Sequence, residues 1–233
     1  MAAGTLYITP TPIGNYDDIT LRAIKILKNS DLIICEELKP ARRLLSHLGI
    51  EKELVPLNEH NEREITPEII GKLTEGKKAA LISDAGTPLF SDPGNFLVQQ
   101  CIERKINIVA LPGANSLLPA LVSSGLNIEK FYYYGWLSPK KEIRTKELKK
   151  LKSVNELLVF LETPYRLKRI LTDIKNTFGE NVYVVLAYKL TMPNEEILRG
   201  KIKSVLQTVE NKKLKGEFVL IVNNRKGERN DWR

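Results

Sequence analysis

Short apolar runs alternate with amphipathic segments of helix length over the first half of the chain. The runs are nearly continuous, which is typical of strands buried on both faces. The segments between them carry apolar residues at i, i+3 and i+4 spacing, which predicts helices. The predicted strands are residues 6–9, 31–35, 53–57, 78–83 and 107–111. This β-α order predicts an α/β fold with a five-stranded, mostly parallel sheet and helices on both of its faces.

Several residues between these runs have the chemistry of helix ends. Asp17, Asp18 and Thr20 precede the first predicted helix and can cap it. Gly49 follows the second predicted helix, where a left-handed residue commonly ends the helix. Thr66-Pro67 predicts that the third helix begins there, since proline is favoured in the first turn.

The pattern changes after Leu111-Pro112-Gly113. The second half predicts five more strands, of which the last three are close together and partly antiparallel in character. They are residues 131–135, 156–162, 182–188, 195–201 and 217–222, with helices at about 116–123, 140–152, 165–177 and 202–210. We therefore expect two α/β domains, residues 1–113 with a parallel sheet and residues 114–233 with a mixed sheet.

The charge is divided at the same place. The chain carries 36 Lys and Arg against 28 Asp and Glu, a net charge of +8. Up to Gly113 there are 13 basic and 15 acidic residues, and after it 23 basic and 13 acidic residues. The second domain therefore carries a net charge of +10, which favours an anionic partner or substrate.

The composition excludes several classes of protein. Cys35 and Cys101 are too few for a disulfide framework and lie in apolar surroundings, so we expect small buried hydrophobes. With only His47 and His60 beside them, no zinc site is predicted and we expect no metal. No basic leader and no run near 18 apolar residues is present, so we expect a soluble cytoplasmic protein that does not enter a membrane.

Three loops rich in glycine, proline and hydroxyl residues follow predicted strands one, four and five. They are residues 11–15 (TPIGN), 83–94 (SDAGTPLFSDPG) and 111–116 (LPGANS). Because ligands bind at the carboxyl ends of parallel strands, these loops are expected to line one site. The phosphate-binding patterns G-x-G-x-x-G and G-x-x-x-x-G-K-[ST] are absent, which disfavours a nucleotide enzyme of either kind.

The same segments carry a family resemblance. YITPTPIGNYDDITLRAI, LISDAGTPLFSDPG and ALPGANSLLPALVSSGL, followed by FYYYGWLSPKKEIR, LVFLETPYRL and LTMPNEEILRG, resemble the tetrapyrrole methylase superfamily. These are class III S-adenosylmethionine-dependent methyltransferases, and the most similar branch acts on small-subunit ribosomal RNA. The resemblance runs over about residues 5–222. It implies two α/β domains with S-adenosyl-L-methionine in the cleft between them, 2′-O-methylation of a cytidine ribose, and a homodimer.

Carried over residue by residue, the resemblance implies the cofactor contacts. Pro12 and Gly14 would form one wall, and Leu161 and Glu162 would close the site from the second domain. The methionine end would contact Asp84, Gly86, Thr87, Pro88, Ser91 and Asp92, largely through backbone, and the adenosine would lie near Pro112, Asn115 and Ser116. A zwitterionic tail and a neutral adenosine need exposed N–H and C=O groups, which such turns supply.

A ribose hydroxyl gains from a positioned general base. The candidates are Glu36 and Glu37 after the second strand, and Glu59 and His60 after the third. His60 titrates nearest neutrality, and Glu36 has the better position at a strand end. We expect one of these two to be catalytic.

Residues 140–152 predict a surface for RNA. They hold seven basic and two acidic residues, with Ile143, Leu148 and Leu151 expected to face inward and the cations to face solvent. Lys140, Lys141 and Arg144 would bind phosphates. Trp136, at the end of an aromatic strand, would stack on a base. An ordinary solvated helix face is the alternative.

The substrate side departs from the family pattern at Glu36-Glu37-Leu38-Lys39 and at Tyr188-Lys189-Leu190-Thr191-Met192. Three functions therefore stay open at this point. The first is 2′-O-methylation of ribosomal RNA or the small ribosomal subunit. The second is methylation of a tetrapyrrole or another small anionic substrate, and the third is cofactor binding with lost or altered activity.

Overall fold

The computed structural model describes residues 4–90 and 92–226. The chain divides into two compact units, Met1–Asn115 (unit 1) and Ser116–Arg233 (unit 2).

Unit 1 alternates strands and helices in the predicted order. Its elements are β1 (Thr5–Ile8), α1 (Leu21–Asn29), β2 (Leu32–Cys35), α2 (Leu38–His47), β3 (Glu53–Pro56), α3 (Glu62–Thr74), β4 (Lys78–Leu81), α4 (Asn95–Glu103) and β5 (Asn107–Ala110). The five strands form one sheet in the order β3-β2-β4-β1-β5, and all four pairings are parallel. The predicted five-stranded parallel sheet is confirmed.

Helices cover both faces of this sheet because successive side chains of each strand point to opposite sides. In β2, Ile34 shares a buried cluster with Leu73 of α3. The preceding residue, Ile33, belongs to a second buried cluster with Leu27 of α1. All four residues of β2 are buried, which explains why the strand appears in the sequence as an uninterrupted apolar run.

The helix-end predictions have mixed outcomes. The hydroxyl of Thr20 accepts a hydrogen bond from the amide of Ala23 at 3.0 Å and caps α1, as expected. Gly49, after α2, has φ +62°. The prediction for the third helix is wrong, because α3 begins at Glu62 and Pro67 lies inside it. A turn in which Asn61 Oδ1 accepts from the amide of Asn58 at 2.8 Å starts the helix earlier.

Unit 2 has a mixed sheet. Its elements are α5 (Leu117–Ser123), β6 (Phe131–Gly135), α6 (Lys141–Leu151), β7 (Leu157–Glu162), α7 (Leu167–Phe178), β8 (Tyr183–Tyr188), β9 (Glu196–Lys201), α8 (Ile202–Lys212) and β10 (Phe218–Asn223). The strand order is β6-β7-β10-β8-β9, in which β6 and β7 are parallel and the other pairs are antiparallel. The predicted mixed sheet is therefore confirmed. Its centre is β10, whose six residues are all buried.

Candidate functional site

In unit 1, the loops that follow β1 and β4 are joined by backbone hydrogen bonds. The amide of Thr11 donates to the carbonyl of Gly86 at 2.9 Å, and the amide of Gly86 donates back to the carbonyl of Thr11 at 3.0 Å. Two buried hydroxyls add to this: Ser83 Oγ donates to Gly86 O at 2.9 Å, and Thr11 Oγ1 donates to Ser83 O at 3.0 Å. A buried network of polar groups is rigid when each group has a hydrogen-bond partner. These bonds therefore hold the two loops fixed relative to each other.

The loop after β5 joins the same group, because β1 lies between β4 and β5 in the sheet. Thr87 Oγ1 donates to the carbonyl of Ala114 at 3.1 Å. Gly113 packs against the ring of Pro10 so closely that a Cβ there would lie 2.5 Å from Pro10 Cβ. The three loops predicted to form one site are thus brought together within unit 1.

We expect Gly113→Ala to lower the free energy of unfolding by about 1 to 3 kcal/mol, because the new methyl group must push a rigid proline ring away. The matched control is Gly71→Ala in α3, where a Cβ would meet nothing within 4 Å. That substitution is expected to raise stability by about 0.5 to 1 kcal/mol. Urea unfolding of both variants measures the difference, and equal effects would contradict the close packing of these loops.

A cluster of three carboxylates, Glu36, Asp84 and Asp92, lies at the same edge of the sheet. Burial raises the pKa of Glu36, and the charge of Asp84 raises it further. Burial also raises the pKa of Asp84, and a hydrogen bond from the backbone of Glu37 partly offsets this rise. The bond joins the amide of Glu37 to Asp84 Oδ1 at 3.3 Å. Burial, followed by the charges of Glu36 and Asp84, raises the pKa of Asp92 to about 6.

This acidic cluster limits the kind of ligand that fits the loops. A phosphate group would be repelled by three carboxylates, whereas a cation would relieve their mutual repulsion. Gly86 has φ +90°, and a Cβ added there would lie 3.3 Å from Ile13 Cγ2. Glycine therefore suits this conformation and leaves the backbone groups of the loop accessible. The residues fit a cationic ligand that is otherwise bound by backbone groups, as a sulfonium compound with an amino group would be.

The raised pKa of Asp92 predicts a pH dependence of stability. The folded protein holds this proton up to about pH 6, whereas an unfolded aspartate, with its ordinary pKa of 3.8, loses it at lower pH. Stability therefore falls as pH rises through that window, and the whole penalty is present above it. We expect Asp92→Asn to be more stable than the unchanged protein by about 1 to 3 kcal/mol at neutral pH and equally stable at about pH 3, below both pKa values.

Urea unfolding over this pH range tests the expectation, with the exposed Asp17→Asn as the control. If the stability gained in Asp92→Asn is the same at both ends of the range, the proposed titration of Asp92 is wrong.

The structure places the other predicted cofactor residues individually. Pro12 and Pro88 are buried, Gly14 and Pro112 are exposed, and Asn115, Ser116 and Leu161 are half-buried. Ser91 lies outside the described residues. Ser116, Leu161 and Glu162 belong to unit 2.

The two predicted bases lie in different surroundings. Glu36 is half-buried next to Asp84 and Asp92. The side chain of His60 is 85% exposed, and its Nε2 lies 3.5 Å from the carboxylate of Glu59. The structure thus brings Glu36, but not His60, into the carboxylate cluster. Cys35 and Cys101 are both fully buried, and burial raises the pKa of each thiol to about 11, so neither is a nucleophile near neutral pH.

In unit 2, the prediction that Arg144 faces solvent is wrong. Its side chain is 1% exposed, and Arg144 Nε lies 2.7 Å from Asp173 Oδ2 of α7. Arg144 occupies the inner face of α6 together with Leu148 and Leu151, at i, i+4 and i+7 spacing. Ile143, which we expected to face inward, is instead 46% exposed. Arg144 therefore cannot contact RNA phosphates as predicted.

Arg144 and Arg166 hold the segment that follows β6. Arg144 Nη1 donates to the carbonyls of Ser138 and Pro139, both at 2.9 Å. Arg166 Nη2 donates to the carbonyls of Leu137 and Ser138 at 2.9 and 3.0 Å. These bonds fix residues 137–139, which lie between Trp136 and Lys140. Sequence reasoning missed Arg166, although it lies in the segment ETPYR that carried part of the family resemblance.

Glu162 also belongs to this buried polar group. Its side chain is fully buried, and its Oε2 lies 3.1 Å from Arg166 Nη1. Burial raises the pKa of Glu162, and the charge of Arg166 acts against that rise. The carboxylate of Glu162 is therefore paired with an arginine of its own unit. Its expected role in closing the cofactor site stays a prediction.

The remaining predicted RNA contacts are accessible. Trp136 is 44% exposed, and Lys140 and Lys141 are both exposed. Phe131 and Tyr132 of the preceding strand are also exposed, at 36% and 44%. The reason is that β6 is an edge strand of its sheet, so its side chains are less completely covered than those of a central strand.

Within residues 4–90 and 92–226, no helix is long and apolar enough to cross a membrane. The same residues contain no group of three or more His, Cys, Asp and Glu side chains that could hold a metal ion.

The model of one protein family, tetrapyrrole (corrin/porphyrin) methylases, matches residues 5–206. Ribosomal RNA small subunit methyltransferase I of Escherichia coli O157:H7 is 43% identical over 231 residues, which cover 98% of this chain and 80% of that protein. The enzyme of the same name from Bacillus subtilis is 39% identical over 228 residues, which cover 98% of this chain and 78% of that protein.

Solved structures share the fold at lower identity. A cobalt precorrin-4 methyltransferase is 17% identical with a TM-score of 0.70, covering 94% of each chain. Uroporphyrin-III C-methyltransferase from Thermus thermophilus, complexed with S-adenosylhomocysteine, is 17% identical with a TM-score of 0.64 and covers 94% of this chain and 97% of its own. The matched family model and these near-full-length relatives show that the chain belongs to the tetrapyrrole (corrin/porphyrin) methylase family.

Proposed function

We propose that this chain is an S-adenosylmethionine-dependent methyltransferase that methylates the ribose 2′-oxygen of a cytidine in small-subunit ribosomal RNA. The observation that carries the proposal is the identity of 43% and 39% to ribosomal RNA small subunit methyltransferase I from two bacteria, over nearly the whole chain. The basic second half, with its exposed lysines on α6, is in keeping with an RNA substrate.

The residues of unit 1 fit the methyl donor. S-Adenosylmethionine supplies an activated methyl group on a positively charged sulfur. The joined loops at Thr11, Gly86 and Ala114 offer a rigid backbone frame for a neutral adenosine and an amino-acid tail. The carboxylate cluster stabilises positive charge near these loops, which suits a cationic donor better than a nucleotide phosphate.

Methyl transfer is a displacement in which the ribose oxygen bonds to the methyl carbon while the carbon–sulfur bond breaks. The hydroxyl proton must leave at the same time, so a base near the loops is required. We assign this role to Glu36, which is half-buried beside Asp84 and whose raised pKa makes it a better proton acceptor than an exposed glutamate. The main contribution of the frame is to align the three reacting atoms.

The direct test is transfer of tritiated methyl groups from S-adenosylmethionine to small ribosomal subunits isolated from a strain that lacks this protein. The proposal is supported if the label stays with the RNA after protease treatment and is recovered in a ribose-methylated nucleoside. Calorimetric binding of S-adenosylmethionine without transfer to any RNA fraction would instead favour a cofactor-binding paralog. Label in an added porphyrinoid, with none in RNA, would favour a tetrapyrrole substrate.

We also propose, from the family resemblance, that the protein acts as a homodimer in the cytoplasm, where small ribosomal subunits are assembled. Analytical ultracentrifugation of the full chain measures the oligomeric state, and a monomer at micromolar concentration would contradict this part of the proposal.

A further inference from the structure

A groove with a cavity of about 340 Å³ lies between α6 and α7 in unit 2. Its α6 wall is formed by Lys141, Thr145 and Lys149 together with Lys152, the residue that caps the C-terminus of α6. Its α7 wall includes Asn176 and Thr177. The four α6 positions are spaced i, i+4, i+8 and i+11, so they fall within roughly an 80° arc of the helix surface. They form a straight stripe about 16 Å long.

The lysines of this stripe are not neutralised by neighbouring carboxylates. In the part of the chain that the structure describes, Lys141, Lys149 and Lys152 form no ion pair. The one acidic residue in the groove, Asp173, is already paired with Arg144 at 2.7 Å. Elsewhere in unit 2, lysines such as Lys168 and Lys212 do pair with glutamates. The groove therefore keeps its positive charge.

The neutral groups in the groove suit a sugar-phosphate chain. Thr145 Oγ1 and Thr177 Oγ1 donate to backbone carbonyls of their own helices at 2.8 and 2.9 Å, so their oxygens remain as acceptors. Each of these oxygens can accept a hydrogen bond from a ribose hydroxyl. The exposed amide of Asn176 can donate a hydrogen bond to a phosphate oxygen. The groove has no exposed aromatic side chain on which a base could stack.

We infer that the α6/α7 groove binds the phosphodiester backbone of the RNA substrate, with Lys141, Lys149 and Lys152 each contacting a phosphate. This inference rests on the proposed function. It places the RNA strand along the face of α6 that is turned toward α7, away from Lys146 and Lys150 on the same helix. Contacts of this type position the substrate and carry no sequence information, so the groove fixes orientation while the loops of unit 1 hold the methyl donor.

The test uses a matched pair of double variants on one helix. Lys149→Gln with Lys152→Gln removes two charges from the groove, and Lys146→Gln with Lys150→Gln removes two exposed charges outside it. The full chain is titrated into a fluorescein-labelled single-stranded RNA of about 20 nucleotides at salt concentrations from about 50 to 200 mM. The slope of log K against log salt counts the phosphate contacts.

We expect the groove variant to lose about 1.4 units of slope, since each contact to a single strand contributes about 0.7. Its affinity at the lowest salt should fall roughly 10- to 50-fold. The control variant should change the slope by less than about 0.5. Equal losses in the two variants, or no loss in the groove variant, would overturn the inference.

Methyl transfer to small ribosomal subunits separates this inference from the proposed function. If the unchanged protein methylates the subunits and the two variants have equal salt slopes, the groove inference fails while the function stands. If the slopes differ as expected and no RNA is methylated, the function fails while the groove stands. If the groove variant binds the free RNA normally but loses binding to subunits, the occupant is an acidic protein surface and the RNA assignment is wrong.

Discussion

Replacing Glu36 by glutamine is expected to lower kcat of methyl transfer about 10²- to 10⁴-fold, the range usual for loss of a general base. The amide keeps the size of the side chain but cannot accept the hydroxyl proton. Removing one negative charge from the cluster with Asp84 and Asp92 also weakens binding of the cationic donor, so its Kd is measured separately by calorimetry. Single-turnover transfer at saturating donor isolates the effect on the chemical step.

The pH profile distinguishes a base from a residue that only shapes the site. Glu36 must be ionised to accept a proton, so the rate falls as pH drops through its pKa. Because burial and the charge of Asp84 raise that pKa, the fall sets in at a higher pH than for an ordinary glutamate. The Gln variant should lose this limb of the profile. Glu37→Gln, its exposed neighbour, is the control, and a rate for Glu36→Gln within about threefold of normal would show that the base lies elsewhere.

Replacing Arg144 by methionine is expected to lower the free energy of unfolding by about 3 kcal/mol. The guanidinium is 1% exposed and bonds to Asp173 and to the carbonyls of Ser138 and Pro139. Without it, the carboxylate of Asp173 and the carbonyl of Pro139 lose this partner, while the carbonyl of Ser138 keeps its bond from Arg166 Nη2. The value is at the lower end of the range for a broken buried pair because the side chain of Asp173 is 18% exposed and regains some water.

A second substitution tests whether the loss comes from the stranded charge. Combining Arg144→Met with Asp173→Leu removes both members of the pair and should recover part of the lost stability. Lys146→Met, at an exposed position of the same helix, should change stability by less than about 0.5 kcal/mol. Urea unfolding of the three proteins measures these differences. If Arg144→Met is as stable as Lys146→Met, the buried pair has no role in holding α6 against α7.

The architecture was predictable because its signals are local. Strands such as β2 and β10 are buried on both faces and therefore appear as continuous apolar runs in the sequence. The start of α3 was misplaced because Pro67 is typical of a first turn, whereas a turn at Asn58 and Asn61 begins the helix earlier. Such a turn depends on side-chain hydrogen bonds that a hydrophobic pattern does not reveal.

The orientation of α6 was harder to predict, since two faces of the helix offer competing patterns. Ile143 suggested one inner face, but Arg144, Leu148 and Leu151 form the actual one. An arginine is a member of that face because Asp173 and two carbonyls accept hydrogen bonds from its Nε and Nη1, and these partners lie on other segments. The sequence contains no local signal for such a partner.

The loops of the candidate site were predicted as a group from their glycine, proline and hydroxyl content. Their pairing at Thr11 and Gly86 follows from the position of β1 beside β4, which the strand order alone decides. The carboxylate cluster joins residues that follow two different strands, Glu36 after β2 and Asp84 after β4. The burial of Asp92 and the repulsion from Glu36 and Asp84, which together raise its pKa, are therefore properties of the folded sheet.

The central claim is tested most directly by mass spectrometry of nucleosides from small-subunit ribosomal RNA, prepared from strains with and without this gene. The account predicts that 2′-O-methylcytidine at one site disappears on deletion, returns with the unchanged gene and does not return with Glu36→Gln. An unchanged set of methylated nucleosides after deletion would contradict the assignment of this chain as an RNA methyltransferase.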